Sequence, residues 1–542
     1  MPAPPPDESR WWRGAVLYQV YVRSFADSDD DGVGDLRGLV RRLDHLAWLG
    51  VDALWLSPVT ASPNADWGYD VADYCAVLPE YGTLADLDEL IAAAGRVGIR
   101  VLLDLVPNHT SDQHAWFVES RSSVDSARRD WYVWADPQPD GSAPNNWVSS
   151  FGGPAWSLDP VSGQYYLHNF LPEQPDLNWW YDGVRDAFDD IVRFWWDRGV
   201  AGFRIDVVNM MIKDAELRDN PPATEDDPFI MQMFGQRPIY NGNRPEGHDI
   251  LRRWRAISDG YTPARLLLGE TNVDTLEMLA SYYGTSDDEL HLGFNFPFIE
   301  APFEVDALVG VVDRIEDLFP STAWPVWTGS NHDVSRLATR WCDGEEPKVR
   351  LALLMLLTLR GTTVLYQGDE IGLTDGVFEK EQLLDPVGLR FWPYYPGRDP
   401  ERTPMPWDDG PNAGFTSAGV TPWLAMADAP MTVAGQRAQP GSVLHLVRDV
   451  IAVRRASPDL QTGAYRRLPA GEGVWAWQRG TDTVVALNLS DDEHTVALPP
   501  AAAGTEAGRR VVVGTHRDRE GSPTGDVLDL APWEGVVLTS RG

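Results

Sequence analysis

Three acidic residues each close a short strand-like stretch: Asp206 in Gly202-Phe203-Arg204-Ile205-Asp206, Glu270 in Leu266-Leu267-Leu268-Gly269-Glu270, and Asp333 in Ser330-Asn331-His332-Asp333. A carboxylate at the end of a buried strand is costly to desolvate unless the site there needs its charge. One such acid is more often an N-cap or a salt-bridge partner. Three at the ends of similarly built segments, converging on one mouth, point to catalysis. Arg204 lies two residues before Asp206, so on a strand both side chains share a face. Its fixed charge is expected to keep Asp206 ionised. No basic residue stands as near Glu270 in the sequence, which suits a group that must carry a proton.

The elements that must position these acids follow a repeat. Eight candidate strands centre on Ala15–Val20, Ala53–Leu56, Val101–Leu105, Gly202–Asp206, Leu266–Glu270, His291–Phe296, Val326–Asn331 and Thr363–Gln367. Stretches such as Leu36–Leu49 and Leu84–Val97 between them carry apolar residues at three- and four-residue spacing, as amphipathic helices do. Eight strand–helix alternations predict an α/β fold, a closed (β/α)8 TIM barrel with its chemistry at one mouth. A Trp-, Pro-, Gly- and Asn-rich stretch between the third and fourth strands is too long for a bare loop and predicts an inserted domain. The excursion Asp214 to Gly247 reads as a second rim element. After Val443–Ala456 the pattern changes to short alternating strands, which predicts a C-terminal antiparallel β domain. The expected division is a barrel over 1–107 and 177–459, an inserted domain over 108–176, and a β domain over 460–542.

Composition narrows the function. With 81 acidic against 45 basic residues the formal charge is −36, so the surface repels nucleic acid and anionic lipid. A neutral substrate fits best, although a local basic pocket could override the general field. No apolar run is long enough to span a bilayer, and the first residues lack the pattern of a signal peptide. Two cysteines, Cys75 and Cys342, lie outside any metal-type spacing and suit reduced thiols in a cytoplasmic protein. Oligomeric state is not legible.

A set of short stretches resembles the α-amylase superfamily (glycoside hydrolase family 13). They are Gly68-Tyr69-Asp70-Val71-Ala72-Asp73-Tyr74, Asp104-Leu105-Val106-Pro107-Asn108-His109, Gly202–Asp206, Glu270, Asn331-His332-Asp333 and Arg402-Thr403-Pro404-Met405-Pro406-Trp407. Gln174-Pro175-Asp176-Leu177-Asn178 is similar to the version found in the oligo-1,6-glucosidase and α-glucosidase branch. The resemblance implies Asp206 as nucleophile, Glu270 as acid and later base, and Asp333 as the group that steadies oxocarbenium-like charge. Retaining cleavage of this kind places the two reacting carboxyls about 5–5.5 Å apart. It further implies substrate binding by Asp66, Tyr69, His109, Phe151, Gln174, Arg204, His332 and Arg402. Asp66 and Arg402 match the pair that closes the pocket around a terminal glucose, with Arg398 as a competitor for the arginine role.

The acidic run Asp27-Ser28-Asp29-Asp30-Asp31-Gly32-Val33-Gly34-Asp35 resembles the first nine positions of an EF-hand loop, but Gly38 stands where the twelfth-position Glu belongs. The branch carries a structural cation in the corresponding loop. Asp27, Asp29, Asp31, the Val33 carbonyl and Asp35 are thus expected to hold Ca²⁺, with Mg²⁺ as the alternative, and no organic cofactor is expected. The activity implied is exo-acting hydrolysis of α-1,4- or α-1,6-linked terminal glucose from small α-glucosides. The alternative is an α-glucosyltransferase or a sucrose or maltose isomerase on the same scaffold. Val334-Ser335-Arg336-Leu337-Ala338 after Asp333 lacks the charged motif associated with sucrose isomerases. Val207 after the nucleophile accompanies α-1,6 cleavage in the resembling branch, whereas Thr271-Asn272-Val273 departs from the oligo-1,6-glucosidase pattern. A non-catalytic sugar-binding relative would have lost acids that this chain keeps.

Overall fold

Eight parallel strands form one sheet in the computed structural model, which describes residues 8–273, 275–320, 322–427, 432–500 and 508–540. They are β1 (Val16–Val20), β2 (Ala53–Leu56), β3 (Arg100–Leu105), β4 (Gly202–Ile205), β5 (Leu266–Gly269), β6 (Leu292–Gly293), β7 (Val326–Trp327) and β8 (Thr362–Tyr366). Hydrogen-bonded neighbours run β6-β5-β4-β3-β2-β1-β8-β7, the cyclic order of a barrel. Leu17, Ala53, Trp55, Leu102, Leu266, Leu268, Leu292, Val326 and Val364 meet in one interior cluster. Because β6 and β7, the ends of the ladder, both contribute to it, the sheet closes on itself.

Alternation along each strand sorts the side chains. Val16, Tyr18, Val20, Leu54, Leu56, Leu103, Leu105, Phe203, Ile205 and Leu267 turn the other way, into the layer beneath the helices. Burial on both faces is why the strands read as nearly unbroken apolar runs. Each fully buried aliphatic side chain contributes about 1.5–3 kcal/mol relative to exposure. The covering helices include Leu84–Arg96, Asp182–Asp197, Gly247–Ser258, Val305–Leu318 and Glu346–Thr358. The first starts cleanly because Thr83 and Asp86 form a capping box.

Two expected strands are shorter than their sequences suggest. After Gly293 the chain turns into the helix Phe296–Glu300, because Asn295 accepts the Phe298 N–H at 3.1 Å and Pro297 occupies its first turn. β7 ends at Trp327, and the residues up to Asn331 belong to the mouth.

Between β3 and β4 lies a small antiparallel sheet of Trp134–Ala135, Tyr165–Leu167 and Trp156–Leu158 around Trp147, Ala155, Trp156 and Leu167. Most of the clustered tryptophans of this region are packed core; Trp180 is the exposed one, at 41%. The excursion after β4 contains the short helix Phe229–Phe234. Beyond the helix Val443–Ala456 comes a six-stranded antiparallel sheet with a separate two-stranded ladder, packed around Leu468, Val484, Val496, Val511, Leu528 and Val536. Buried Arg454 and Arg479 donate to carbonyls at the C-terminal end of Glu346–Thr358, Arg454 to Leu357 O and Leu359 O and Arg479 to Thr358 O. A cation at a helix C-terminus satisfies carbonyls the helix leaves open.

Candidate active site

Asp206 follows directly on β4 and Glu270 on β5, so adjacent strands deliver them to the same mouth. One guanidinium joins them: Arg204 Nη1 donates to Asp206 Oδ1 at 2.7 Å and Nη2 to Glu270 Oε2 at 2.6 Å. The same Nη1 also reaches Asp104 at 2.9 and 3.1 Å. Arg204 therefore serves Glu270 as directly as it serves Asp206, although 66 residues separate the two. The expectation that Glu270 lacks a basic neighbour is corrected by the parallel register, which pairs Arg204 with Leu268. Val207, between the two acids along the path of the chain, adopts left-handed φ 32° and ψ 53°. Such a conformation is strained for a β-branched residue. It aims the Val207 N–H at Glu270 Oε2, 3.0 Å away.

Three carboxylates share one guanidinium, the buried Asp104 and Asp206 and the partly buried Glu270. Burial pushes Asp206 well above the usual carboxylate range; Arg204 opposes this, while Glu270 and Asp104 add to it. Asp104 is pushed up to about 7, again by burial first and against the pull of Arg204. Arg204 thus touches Asp206 as expected, but it does not outweigh burial and the neighbouring acids.

Asp333 has the opposite setting. Burial raises it, but His332, Arg402, Arg398 and Arg204 outweigh that and hold it well below the usual range. Arg402 Nη2 reaches Asp333 Oδ1 at 2.7 Å and Nε donates to the His332 carbonyl at 2.8 Å. The pairing of Asp66 with Arg402 is therefore replaced: Asp66 Oδ1 pairs with Arg398 Nη2 at 2.7 Å. Arg398 is fixed from behind by fully buried Asp385, through Nη2 at 2.7 Å, Nε at 3.1 Å and its own backbone N–H at 2.9 Å. Arg398 also faces Asp333 at 3.4 Å and lies 5.1 Å from the Phe151 ring.

Asp66, Tyr69, His109, Phe151, Asp206, Glu270 and Asp333 all line one cavity of about 610 Å³. Gln174, Arg204, His332 and Arg402 stand behind that wall and hold it in place. Gln174 Nε2 donates to Asp66 at 3.0 Å. Gln19 Nε2 donates to His332 Nδ1 at 2.8 Å, which leaves the hydrogen on Nε2, facing Asp333 Oδ2 at 3.2 Å and the Tyr69 hydroxyl. Tyr69 in turn donates to Asp104 at 3.2 Å. Burial keeps both histidines neutral, His109 being lowered to about 4 and His332 well below its ordinary value. The rim excursion supplies Met231, Phe234, Gln236 and Asn241. Sequence reasoning missed these, and Asp385, whose Asp-Pro step reads as the N-cap it also is.

The acidic loop near β1 brings oxygens of Asp27, Asp29 and Asp35 within 4.8 Å of one another. Asp31 stands outside that group, its Oδ1 accepting the Val33 N–H at 2.7 Å. Asp29 is raised by burial and by the charges of Asp35 and Asp27, a crowding that a hard, oxygen-preferring cation would relieve. The donor set fits such an ion.

Comparison with known proteins places this geometry. The family model described as "Alpha amylase, catalytic domain" matches residues 19–463. A probable alpha-glucosidase of Rhizobium meliloti (strain 1021) is 45% identical over 504 residues, covering 90% of this chain and 91% of that protein. The oligo-1,6-glucosidase of Parageobacillus thermoglucosidasius is 37% identical, with 98% and 100% covered. Among solved structures, an alpha-glucosyl transfer enzyme is similar at a TM-score of 0.89 and 41% identity, with 98% and 99% of the chains covered. The trehalulose synthase of Pseudomonas mesoacidophila MX-45 is similar at 0.87 and 33%, with 98% and 99% covered. Matched across the barrel and along nearly the whole chain, this protein belongs to the α-amylase family of glycoside hydrolases.

Proposed function

We propose that the protein is a retaining, exo-acting α-glucosidase of small neutral α-glucosides. The observation that carries this is the Arg204 fork, which holds Asp206 and Glu270 side by side in a cavity closed by the Asp66–Arg398 pair. Asp206 attacks the anomeric carbon while Glu270 gives its proton to the departing oxygen, forming a glucosyl–Asp206 ester. Glu270, now a carboxylate, takes a proton from water, and that water releases glucose and restores Asp206. Asp333, kept anionic by its arginines, faces the positive charge that builds on the ring between these steps.

A neutral substrate is favoured because, among the described residues lining the cavity, Arg398 is the sole arginine or lysine, and Asp66, Asp385 and Asp333 already surround it. The similarity to a trehalose-6-phosphate hydrolase of Escherichia coli (strain K12), 36% identical with 97% and 98% covered, does not bring an evident phosphate-binding cation with it. A panel of maltose, isomaltose, sucrose, trehalose and starch, with NMR of the first-formed anomer, tests the reading. Release of α-glucose from chain ends is expected; β-glucose first, or attack on interior bonds of starch, would overturn it. Glucosyl transfer is the second reading, favoured by the likeness to the alpha-glucosyl transfer enzyme and the trehalulose synthase. Transfer or isomer products exceeding free glucose at modest donor concentration would select it.

A divalent cation, Ca²⁺ or Mg²⁺, belongs in this reading at Asp27, Asp29 and Asp35, with the Val33 carbonyl and Asp31 as further oxygen donors of the same loop. It would tie the loop together and take no part in bond cleavage. A cytoplasmic setting is supported by two free cysteines whose thiols burial pushes up, to about 11 for Cys75 and about 12 for Cys342. Among the described residues no helix is long and apolar enough to cross a membrane.

A further inference from the structure

The end of the barrel opposite the catalytic mouth holds a second cavity, of about 510 Å³. His291, immediately before β6, lines it and is 5% exposed. Its Nδ1 accepts the Leu267 backbone N–H at 3.0 Å, so the neutral ring must carry its hydrogen on Nε2. That Nε2 is buried and has no hydrogen-bond partner among the described residues. Leaving a buried donor unmet costs about 1–3 kcal/mol, so the cavity is expected to offer it an acceptor.

Two arginines, Arg10 and Arg255, and one carboxylate, Asp259, line the same cavity. Arg10 spends one side-chain hydrogen bond, Nη2 to Asp287 at 2.8 Å. Arg255 donates from Nε to Asp259 at 3.0 Å and from Nη1 to the Glu289 carbonyl at 3.3 Å, and faces Asp287 at 3.5 Å. A guanidinium carries five N–H groups, so among the described residues both arginines keep N–H groups beyond those that pair with Asp287, Asp259 and the Glu289 carbonyl. Arg255 and Arg10 line the cavity beside His291, and their charges lower it further after burial has done so. Trp12 packs on the other side, its ring centroid 4.3 Å from that of His291.

We propose that this floor cavity is a binding site for a small oxyanion, a phosphate or a carboxylate. The anion would accept from His291 Nε2 and from the spare N–H groups of Arg10 and Arg255. It would thereby join the segment before β1, the helix Gly247–Ser258 and β6. A ligand rich in acceptor oxygens is what an orphaned imidazole N–H beside two arginines selects, and the site stands out in a chain of formal charge −36. The volume leaves room for an organic group attached to the anion.

Calorimetry and thermal melts of the full chain test this with inorganic phosphate and with succinate, each against chloride at equal ionic strength. A saturable 1:1 signal with one or both oxyanions is expected, with a rise in Tm of about 1–3 °C at tenfold excess over Kd. Phosphate alone or succinate alone binding would tell which anion chemistry the cavity takes. Arg10→Ala, at a half-exposed position, should weaken binding at least tenfold while leaving α-glucoside hydrolysis unchanged. His291→Asn should weaken it likewise. No saturable signal beyond chloride with either anion, or an affinity that Arg10→Ala leaves untouched, would overturn the proposal.

Discussion

Replacement of Arg204 by lysine tests the central geometric argument. The guanidinium binds Asp206 through one terminal nitrogen and Glu270 through the other, at 2.7 and 2.6 Å. A lysine ammonium is a single point and cannot occupy both positions. It keeps the charge and loses at least one of two charge-assisted contacts, together with the Asp104 contact at 2.9 Å if it moves towards Glu270. At about 1.5–3 kcal/mol for each hydrogen bond to a charged group, the loss is about 1.5–3 kcal/mol for one contact and about 3–6 kcal/mol for two. One factor of ten in rate corresponds to about 1.4 kcal/mol, so kcat/KM should fall by at least about tenfold and up to about 10⁴-fold. The assay is initial rate on 4-nitrophenyl α-glucoside, with Tm and near-ultraviolet circular dichroism to confirm folding. Because a buried carboxylate left without its partner costs about 3–5 kcal/mol, a lower Tm is expected as well. A folded Arg204→Lys protein within tenfold of the parent would refute the idea that the two-pronged contact organises the pair.

Asp206→Asn should remove turnover by several orders of magnitude in the same assay; ordinary residual activity would reject its role as nucleophile. Asp385→Asn should loosen Arg398 and raise KM for α-glucosides about tenfold or more with a smaller change in kcat, whereas an unchanged KM would detach Asp385 from the pocket. Chelation with EDTA should lower Tm, and re-added Ca²⁺ should restore it; an unmoved Tm would leave the Asp27–Asp35 loop as a solvated acidic turn. Asp104 and Asp369 are both pushed up to about 7 by burial. A raised folded-state value stabilises below the unfolded value near 4 and is lost as pH rises through 7. Tm should therefore fall between about pH 4 and pH 7 by the equivalent of a few kcal/mol, and a flat profile over that window would contradict the burial argument.

What the sequence could reveal followed from which forces act locally. Asp206 and Glu270 were legible because a charge at the end of an apolar run is an electrostatic anomaly wherever the chain goes, whereas Asp333 lies six residues beyond β7 and was legible through the Asn331-His332-Asp333 stretch. The eight strands were legible because burial on both faces leaves an apolar signature, while β6 and β7 came out short because Asn295 and the mouth loops override it. Partners, by contrast, are set by register and loop closure, which leave no local trace. Arg204 meets Glu270 because β4 and β5 pair Arg204 with Leu268, not because of any spacing along the chain. The choice of Arg398 over Arg402 for Asp66 has the same origin. Asp399 accepts the Leu384 and Asp385 N–H groups at 2.6 and 3.0 Å, and Asp385 accepts that of Arg398. The loop between residues 385 and 398 is thereby pinned at its base, and Arg398 is the arginine that projects from the pin into the pocket. Arg402, four residues further on, is drawn under His332 and Asp333 instead. Two arginines equally plausible by position are thus separated by two buried aspartates, neither of which lines the cavity. A search for the residues that shape this pocket must therefore include acids that never reach the substrate.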